Sequence, residues 1–110
     1  MRKEAAIVSA LVAVGALIVQ AATAQMAPAA QRGMIFVQVN CGKCHATDRL
    51  SESPLPIAPP LRDLSRRFPA ERLSYGLVNA MQAGHLNMPA FQLDPGQLDD
   101  VVAYLRTLGP

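Results

Sequence analysis

Apolar positions divide the chain into a leader and three later segments with helical spacing. Residues 5–19 are a run of Ala, Val, Leu and Ile broken only by Ser9 and Gly15. Further on, apolar residues cluster over 31–40, 69–84 and 94–108, and we find no strand-rich stretch. Over 31–40 the pattern alone does not separate strand from helix, but we favour a helix because the segment leads directly into a tight turn. The chain is therefore predicted to be all-α.

The last segment carries the clearest helix signals. Asp94 is predicted as the N-cap, Pro95 as the first helical residue and Gln97 as the partner in a capping box. Asp99 and Asp100 are expected in the first turn, where acidic groups suit the helix dipole. The predicted apolar face consists of Leu98, Val101, Val102, Leu105 and Leu108.

The two earlier segments give weaker signals. Pro69 is predicted as the first residue of the middle helix and Gly84 as its C-terminal cap. Its apolar stripe, expected to be core, consists of Leu73, Leu77 and Met81. In the first segment Gly33 weakens a helix, so we expect it to allow a close backbone approach.

The leader has the features of a secretory signal peptide. A basic start at Arg2 and Lys3 precedes the apolar run, and Ala22-Thr23-Ala24 offers a small-residue cleavage site. The alternative is an uncleaved anchor, but the run is shorter than the roughly 20 residues that a membrane span needs. We therefore predict cleavage after Ala24, a periplasmic mature protein that does not span the membrane, a flexible N-terminus at 25–30 and one domain at 31–110.

Charge and size narrow the class of protein. Without residues 1–24, 86 residues remain, with eight basic and seven acidic side chains. Such a small domain has a limited core of its own. The chain has no dense basic patch with interleaved aromatic residues, so nucleic-acid binding is not expected.

Residues Cys41–His45 read Cys-Gly-Lys-Cys-His, the attachment motif of c-type haem. The spacing places two thiols on one short turn, within reach of the two vinyl groups of one haem, and lets His45 bind the iron. A dithiol redox pair, a zinc site and a structural disulfide are the alternatives. With only two cysteines, a zinc site would need both His45 and His85. We favour one haem attached through Cys41 and Cys44.

The next loop, 46–60, has four prolines within its last seven residues, so it is extended and not helical. We expect it to wrap one edge of the haem and to supply a backbone carbonyl that accepts the Nδ1 proton of His45. Beyond it, an arginine at position 62, 66 or 67 could pair with a haem propionate, although a solvated face is the favoured interpretation for each one.

A second axial ligand to the iron is expected from the loop between the last two predicted helices. Met88 is the favoured ligand, because Pro89 follows it and restricts the freedom of a weakly binding thioether. The other candidates are His85, Met81, Met34 and Met26. A methionine on a helical apolar stripe is more often core filler.

Together these residues resemble small bacterial class I cytochromes c over most of 31–108. The resemblance rests on Cys41–His45, Ala58-Pro59-Pro60-Leu61, Met88-Pro89-Ala90-Phe91 and Asp100–Leu105. It implies an all-α cytochrome c fold of three to four short helices around one covalently attached haem, with the first and last helices crossing near Gly33. It also implies His45 and Met88 as axial ligands and the Pro59 carbonyl as the partner of His45. The chain departs from the family at Val37, where an aromatic residue is usual, and it has no Trp.

The expected function is electron transfer between redox proteins by a periplasmic, monomeric, monohaem cytochrome without catalytic residues. Its donor and acceptor proteins would bind transiently. Two alternatives are a haem-based ligand-binding or sensor protein and a dedicated electron-transfer subunit of a periplasmic dehydrogenase.

Overall fold

The computed structural model describes residues 25–83, 88 and 91–109. Within them the chain forms four α-helices and no strand: α1 (Pro28–Asn40), α2 (Leu61–Arg67), α3 (Leu73–Ala83) and α4 (Pro95–Leu108), with a 3₁₀ turn at Ala70–Arg72 before α3. The all-α prediction is confirmed. The predicted signal peptide and the predicted Gly84 cap lie outside the described residues. No helix in the described part of the chain is long and apolar enough to cross a membrane.

The first and last helices pack tightly against each other at Gly33, as expected. A Cβ atom at Gly33 would overlap the backbone carbonyl of Asp100 and lie 3.0 Å from Cβ of Tyr104. Beside this contact, Arg32 forms a bidentate ion pair with Asp100, with N···O distances of 2.7 and 2.8 Å. The pair stays partly exposed, so it fixes the register of the two helices more than it adds stability.

The core lies between α1, α3 and α4. Its buried residues are Val37, Leu73, Leu77, Met81, Val101, Val102, Tyr104, Leu105 and Leu108. The stripe predicted for α3 is confirmed, and so is the predicted face of α4, where Leu98 is half-buried at the edge. Tyr104 was not predicted on that face; its phenol can be buried because its hydroxyl donates to the carbonyl of Thr47.

Several helix boundaries differ from the predicted ones. α1 begins at Pro28, so residues 28–30 of the predicted flexible N-terminus are helical, and Ala30 is buried. A proline suits the first position of a helix, which explains this earlier start. Pro69 precedes a 3₁₀ turn, closed by the Arg72 amide on the Pro69 carbonyl, and the α-helix begins only at Leu73. The helix α2 was not predicted, because Leu61 and Leu64 are its only apolar residues.

The capping box predicted for α4 is confirmed. The backbone N–H of Gln97 donates to the Asp94 carboxylate at 2.8 Å, and the backbone N–H of Asp94 donates to the side-chain oxygen of Gln97 at 3.1 Å. The dipole interpretation of Asp99 and Asp100 is wrong, because with Pro95 as the first helical residue both lie beyond the first turn. The carboxylate of Asp100 pairs with α1 instead.

The segment between the motif and α2 has no helix and is held by polar contacts. Asp48 accepts hydrogen bonds from the amides of Leu50 and Ser51 and from the Ser51 hydroxyl. These contacts, led by the hydroxyl, lower the pKa of Asp48 from 3.8 to about 2. Arg62 on α2 donates to the Ser51 carbonyl at 2.7 Å, which ties this turn to the helix.

Replacing Gly33 by alanine is predicted to destabilise the fold, because the new methyl group would force α1 and α4 apart. Overpacking of this kind costs about 1–3 kcal/mol. We expect the free energy of unfolding, measured with denaturant, to fall by about that amount. Gly96→Ala is the control: its Cβ would meet only the Asp94 carboxylate, at 3.3 Å. A Gly33→Ala protein as stable as the control would contradict the crossing described above.

Replacing Asp48 by asparagine is predicted to lower the melting temperature at pH 7 but not near pH 2. The pKa of Asp48 is lower in the folded chain, so its carboxylate stabilises the fold above the ordinary pKa. That contribution is lost as the pH falls toward about 2. Melting curves of both proteins from pH 7 to pH 2 should therefore converge. Asp99→Asn, at an exposed position of α4, is the control. A difference between Asp48→Asn and wild type that stays constant with pH would contradict the assignment.

Candidate functional site

The Cys-Gly-Lys-Cys-His motif forms a turn that continues directly from α1. The amides of Cys41 and Gly42 donate to the Val37 carbonyl, at 2.8 and 3.1 Å, and extend the helical pattern by one step. The amides of Cys44 and His45 then donate to the Cys41 carbonyl, at 3.2 and 2.9 Å. Both thiols and the imidazole are thus carried by one short turn whose orientation is set by α1.

Both thiols are unpaired, so the structure does not contain the disulfide that was one alternative. Cys41 is half-buried against the core and Cys44 is exposed. Burial raises the pKa of the Cys41 thiol, whereas a redox-active dithiol needs a lowered one. For zinc, residues 25–83, 88 and 91–109 contain no group of three or more His, Cys, Asp or Glu side chains that could hold a metal ion. His85 lies outside the described residues.

The imidazole of His45 is oriented by the backbone of the proline-rich loop. Its Nδ1 lies 2.6 Å from the carbonyl oxygen of Pro59. Because a carbonyl only accepts, Nδ1 carries the proton and donates it. In the neutral ring this leaves a lone pair on Nε2, the form that binds a metal. The structure thus contains the contact between His45 and Pro59 that the family resemblance implied.

Three more hydrogen bonds join the backbone on either side of His45 to the same loop and to the first residue of α2. The Leu55 amide donates to the Cys44 carbonyl at 3.1 Å, and the Leu61 amide donates to the Ala46 carbonyl at 3.0 Å. The Ala46 amide donates to the Ser53 hydroxyl at 3.0 Å. Sequence reasoning missed Ser53, because a serine in a proline-rich loop has no signal that separates it from any other polar loop residue.

The methionines occupy different surroundings. Met88 is half-buried and packs against the core, as Cys41 does. Met81 is itself a core residue on α3, as expected of a stripe methionine. Met34 and Met26 also pack against the core, and they line a groove of about 590 Å³ whose described lining includes no residue of the motif. Packing against the core is thus shared by Met88, Met34 and Met26, and Met88 as the ligand stays a prediction.

Phe36 and Val37 lie in the part of α1 where the family resemblance led us to expect an aromatic residue at position 37. Val37 is buried, with 1% of its surface exposed, at the position where an aromatic residue is usual. Phe36 lies one residue away, and its ring centroid is 5.8 Å from that of Phe91 at an angle of 56°. This tilted pair joins α1 to the segment that follows Met88.

Two of the three arginines considered for a propionate have protein partners. Arg62 holds the turn at Ser51, as described above. Arg66 lies 3.4 Å from the Asp63 carboxylate, one helical turn earlier on the exposed face of α2. These contacts agree with the solvated-face interpretation for Arg66 and give Arg62 a structural role.

The chemistry of these groups fits a covalently attached haem. Two unpaired thiols on one turn can form thioethers, and an imidazole with a free Nε2 lone pair can bind iron. The adjoining core is apolar, which suits the face of a porphyrin, and Met88 packs against it.

Comparison with known proteins supports this chemistry. The family model described as cytochrome C oxidase, cbb3-type, subunit III, matches residues 28–105. No curated protein and no solved structure matches the chain significantly. The matched residues start at the first residue of α1, include the motif and Met88, and end in the last turn of α4. Because the match covers well over half of the chain, the chain belongs to this family and is a small c-type cytochrome.

Proposed function

We propose that this protein is a periplasmic monohaem cytochrome that carries single electrons through a haem bound by Cys41, Cys44, His45 and Met88. Electron transfer in general follows from its family; the ligands, the single haem and the location are the proposal. The observation that carries it is the hydrogen bond from His45 Nδ1 to the Pro59 carbonyl, next to two unpaired thiols.

Different residues of the site would hold the haem and tune its reduction potential. When bound, haem supplies one-electron chemistry, its iron cycling between Fe(III) and Fe(II). Cys41 and Cys44 would anchor it through thioethers. His45 would bind iron through Nε2, with the ring held by Pro59 and its basicity raised by that hydrogen bond.

Met88 is proposed as the second protein ligand. Its thioether is a weaker electron donor than an imidazole, so it would favour Fe(II) and raise the reduction potential relative to a second imidazole. Met88 packs against the buried apolar core, which includes Leu73 and Leu77 on α3 and would keep water away from a bound haem, disfavouring the additional positive charge of Fe(III). No bond to a substrate is needed, so we expect no catalytic residues.

Electrons would enter and leave on the side of the motif that faces solvent. Cys44 is exposed there, and the adjoining loop presents Leu55 and Ile57, of which Ile57 is 74% exposed. A small apolar surface of this kind fits partners that dock weakly and briefly. We expect the mature chain to work as a monomer between a donor and an acceptor protein.

A fixed place in a larger redox complex is the second candidate. The name of the matching family is that of an oxidase subunit. On the outer face of α1, Ile35 and Val39 lie one turn apart and are 58% and 67% exposed, which favours an additional contact surface. Isolation from the native host separates the two candidates: a carrier is recovered as a single chain, and a subunit with its complex.

The oxidised wild-type protein is predicted to show the weak far-red charge-transfer band from sulfur to Fe(III). Met88→Ala should abolish this band and let the reduced protein bind carbon monoxide, since the sixth position opens. Absorption spectra of both proteins, before and after reduction under the gas, provide the measurement.

Met34→Leu is the matched control for that substitution, because Met34 is also a half-buried methionine. It should keep the band and exclude the gas. A band that survives in Met88→Ala would contradict ligation by Met88. Wild-type protein with haem but no band would favour His85, or an open site and the ligand-binding alternative.

The mature protein is predicted to have the mass of residues 25–110 plus one haem. Mass spectrometry under denaturing conditions, after expression in a host that attaches haem, measures both. Cys44→Ala should reduce the fraction of chains that retain haem, because one of the two thioethers is lost. A mass that includes residues 1–24 would contradict cleavage after Ala24, and haem-free wild type would contradict the proposed function.

A further inference from the structure

We propose that Ser53 is a positioning residue for His45: its hydroxyl holds the peptide that follows His45 and thereby fixes the hydrogen bond between His45 and Pro59. The inference rests on the proposed function, in which His45 binds haem iron. It assigns a role to a side chain outside the attachment motif and outside the proposed ligands.

The hydrogen bond that Ser53 accepts lies directly beside His45. Ser53 Oγ accepts from the Ala46 amide at 3.0 Å. That amide belongs to the peptide joining His45 to Ala46, so its orientation sets the direction in which the His45 side chain leaves the backbone. Ala46 is only 3% exposed. Without Ser53, its donor would lose a partner where water has little access.

Ser53 completes a set of hydrogen bonds between residues 44–46 and 53–61. Two backbone bonds, Leu55 amide to Cys44 carbonyl and Leu61 amide to Ala46 carbonyl, already fasten the loop around the motif. Among the hydrogen bonds that the described residues make between 44–46 and 53–61, Ser53 and His45 contribute the side chains. We call these hydrogen bonds between residues 44–46 and 53–61 the clamp. Replacing Ser53 therefore weakens the clamp without changing the proposed ligand His45.

The clamp would act on the iron through His45. A strong hydrogen bond at Nδ1 makes Nε2 more basic, which stabilises Fe(III) and lowers the reduction potential. If the Ala46 peptide rotates, Nδ1 and the Pro59 carbonyl lose their 2.6 Å alignment. The potential should then rise. A serine that only stabilises the loop would change the unfolding of the protein and leave the potential unchanged.

The test compares Ser53→Ala with Ser53→Thr, which keeps the hydroxyl oxygen, and with Ser51→Ala as the matched control. The Ser51 hydroxyl lies in the same loop but bonds to Asp48 and not to the backbone beside His45. Replacing the hydrogen-bond partner of a metal-binding histidine typically changes metal affinity or activity roughly 10–100-fold. Ser53 acts on His45 only through the Ala46 peptide, so its effect should be smaller. For Ser53→Ala we therefore expect about a threefold increase in the equilibrium constant for reduction by a fixed mediator.

Hydrogen exchange supplies a second readout. In the reduced holoprotein, the Nδ1 proton of His45 should exchange with solvent faster in Ser53→Ala than in wild type, as followed by NMR. Ser53→Thr should restore both wild-type values, and Ser51→Ala should not change either. If Ser53→Ala does not accumulate with haem, Ser53→Gly leaves room for a water to accept from Ala46, and a smaller change in the same direction is expected.

The possible outcomes separate the role of Ser53 from the proposed function. A Ser53→Ala or Ser53→Gly protein with the potential and exchange rate of the Ser51→Ala control overturns the role of Ser53 alone, whatever its stability. A wild-type protein without haem, or with haem not bound by His45, overturns the proposed function and this inference together.

Discussion

The close approach of α1 and α4 at Gly33 is the constraint on which the rest of the structure depends. The motif turn begins where α1 ends, and Met88 lies six residues before the N-cap of α4. The crossing of the two helices therefore places both ends of the proposed haem site. A glycine is needed at the crossing because the Asp100 carbonyl occupies the space of a Cβ atom. The Asp94 capping box fixes where α4 starts, and so how much chain remains between Met88 and the helix.

A different kind of contact orients the motif itself. The loop from 46 to 60 has no helix, and its prolines lack backbone donors, so few of its own amides can hold it. Side chains supply what the backbone does not: Asp48 closes the first turn, Ser53 accepts from Ala46, and Arg62 reaches back from α2. Of these contacts, the one made by Ser53 lies beside His45, whose ring faces the Pro59 carbonyl.

Periodicity and capping signals predicted the helices because those signals are local. The face of α4 and the box at Asp94 and Gln97 follow from neighbouring residues, and both are present. The helix α2 was missed because its own apolar pattern is short. The start of α1 was placed too late although Pro28, at the first position of the helix, is itself a local signal.

In the site, too, local signals predicted some features and not others. The motif spacing indicated the residues that carry the chemistry, and the family resemblance indicated the Pro59 carbonyl. Ser53 could not be predicted, because its role depends on which amide the folded loop brings within 3.0 Å. The sequence shows Phe36 one place before the position where an aromatic residue is usual, and it does not predict what the ring contacts. Its contact with Phe91 exists because two segments far apart in sequence meet in the fold.

The apolar packing and the orientation of His45 lie in separate parts of this molecule. The buried core lies between the helices, whereas the orientation of His45 depends on a proline-rich loop at their edge. Two hydrogen bonds join this loop to α4 in the described part of the chain: Tyr104 to the Thr47 carbonyl, and Arg49 to the Thr107 carbonyl. A substitution in the loop can therefore change the hydrogen bond at His45 while the helices stay packed. A substitution at the crossing would move the motif, the loop and the segment after Met88 together, because all three are placed by α1 and α4.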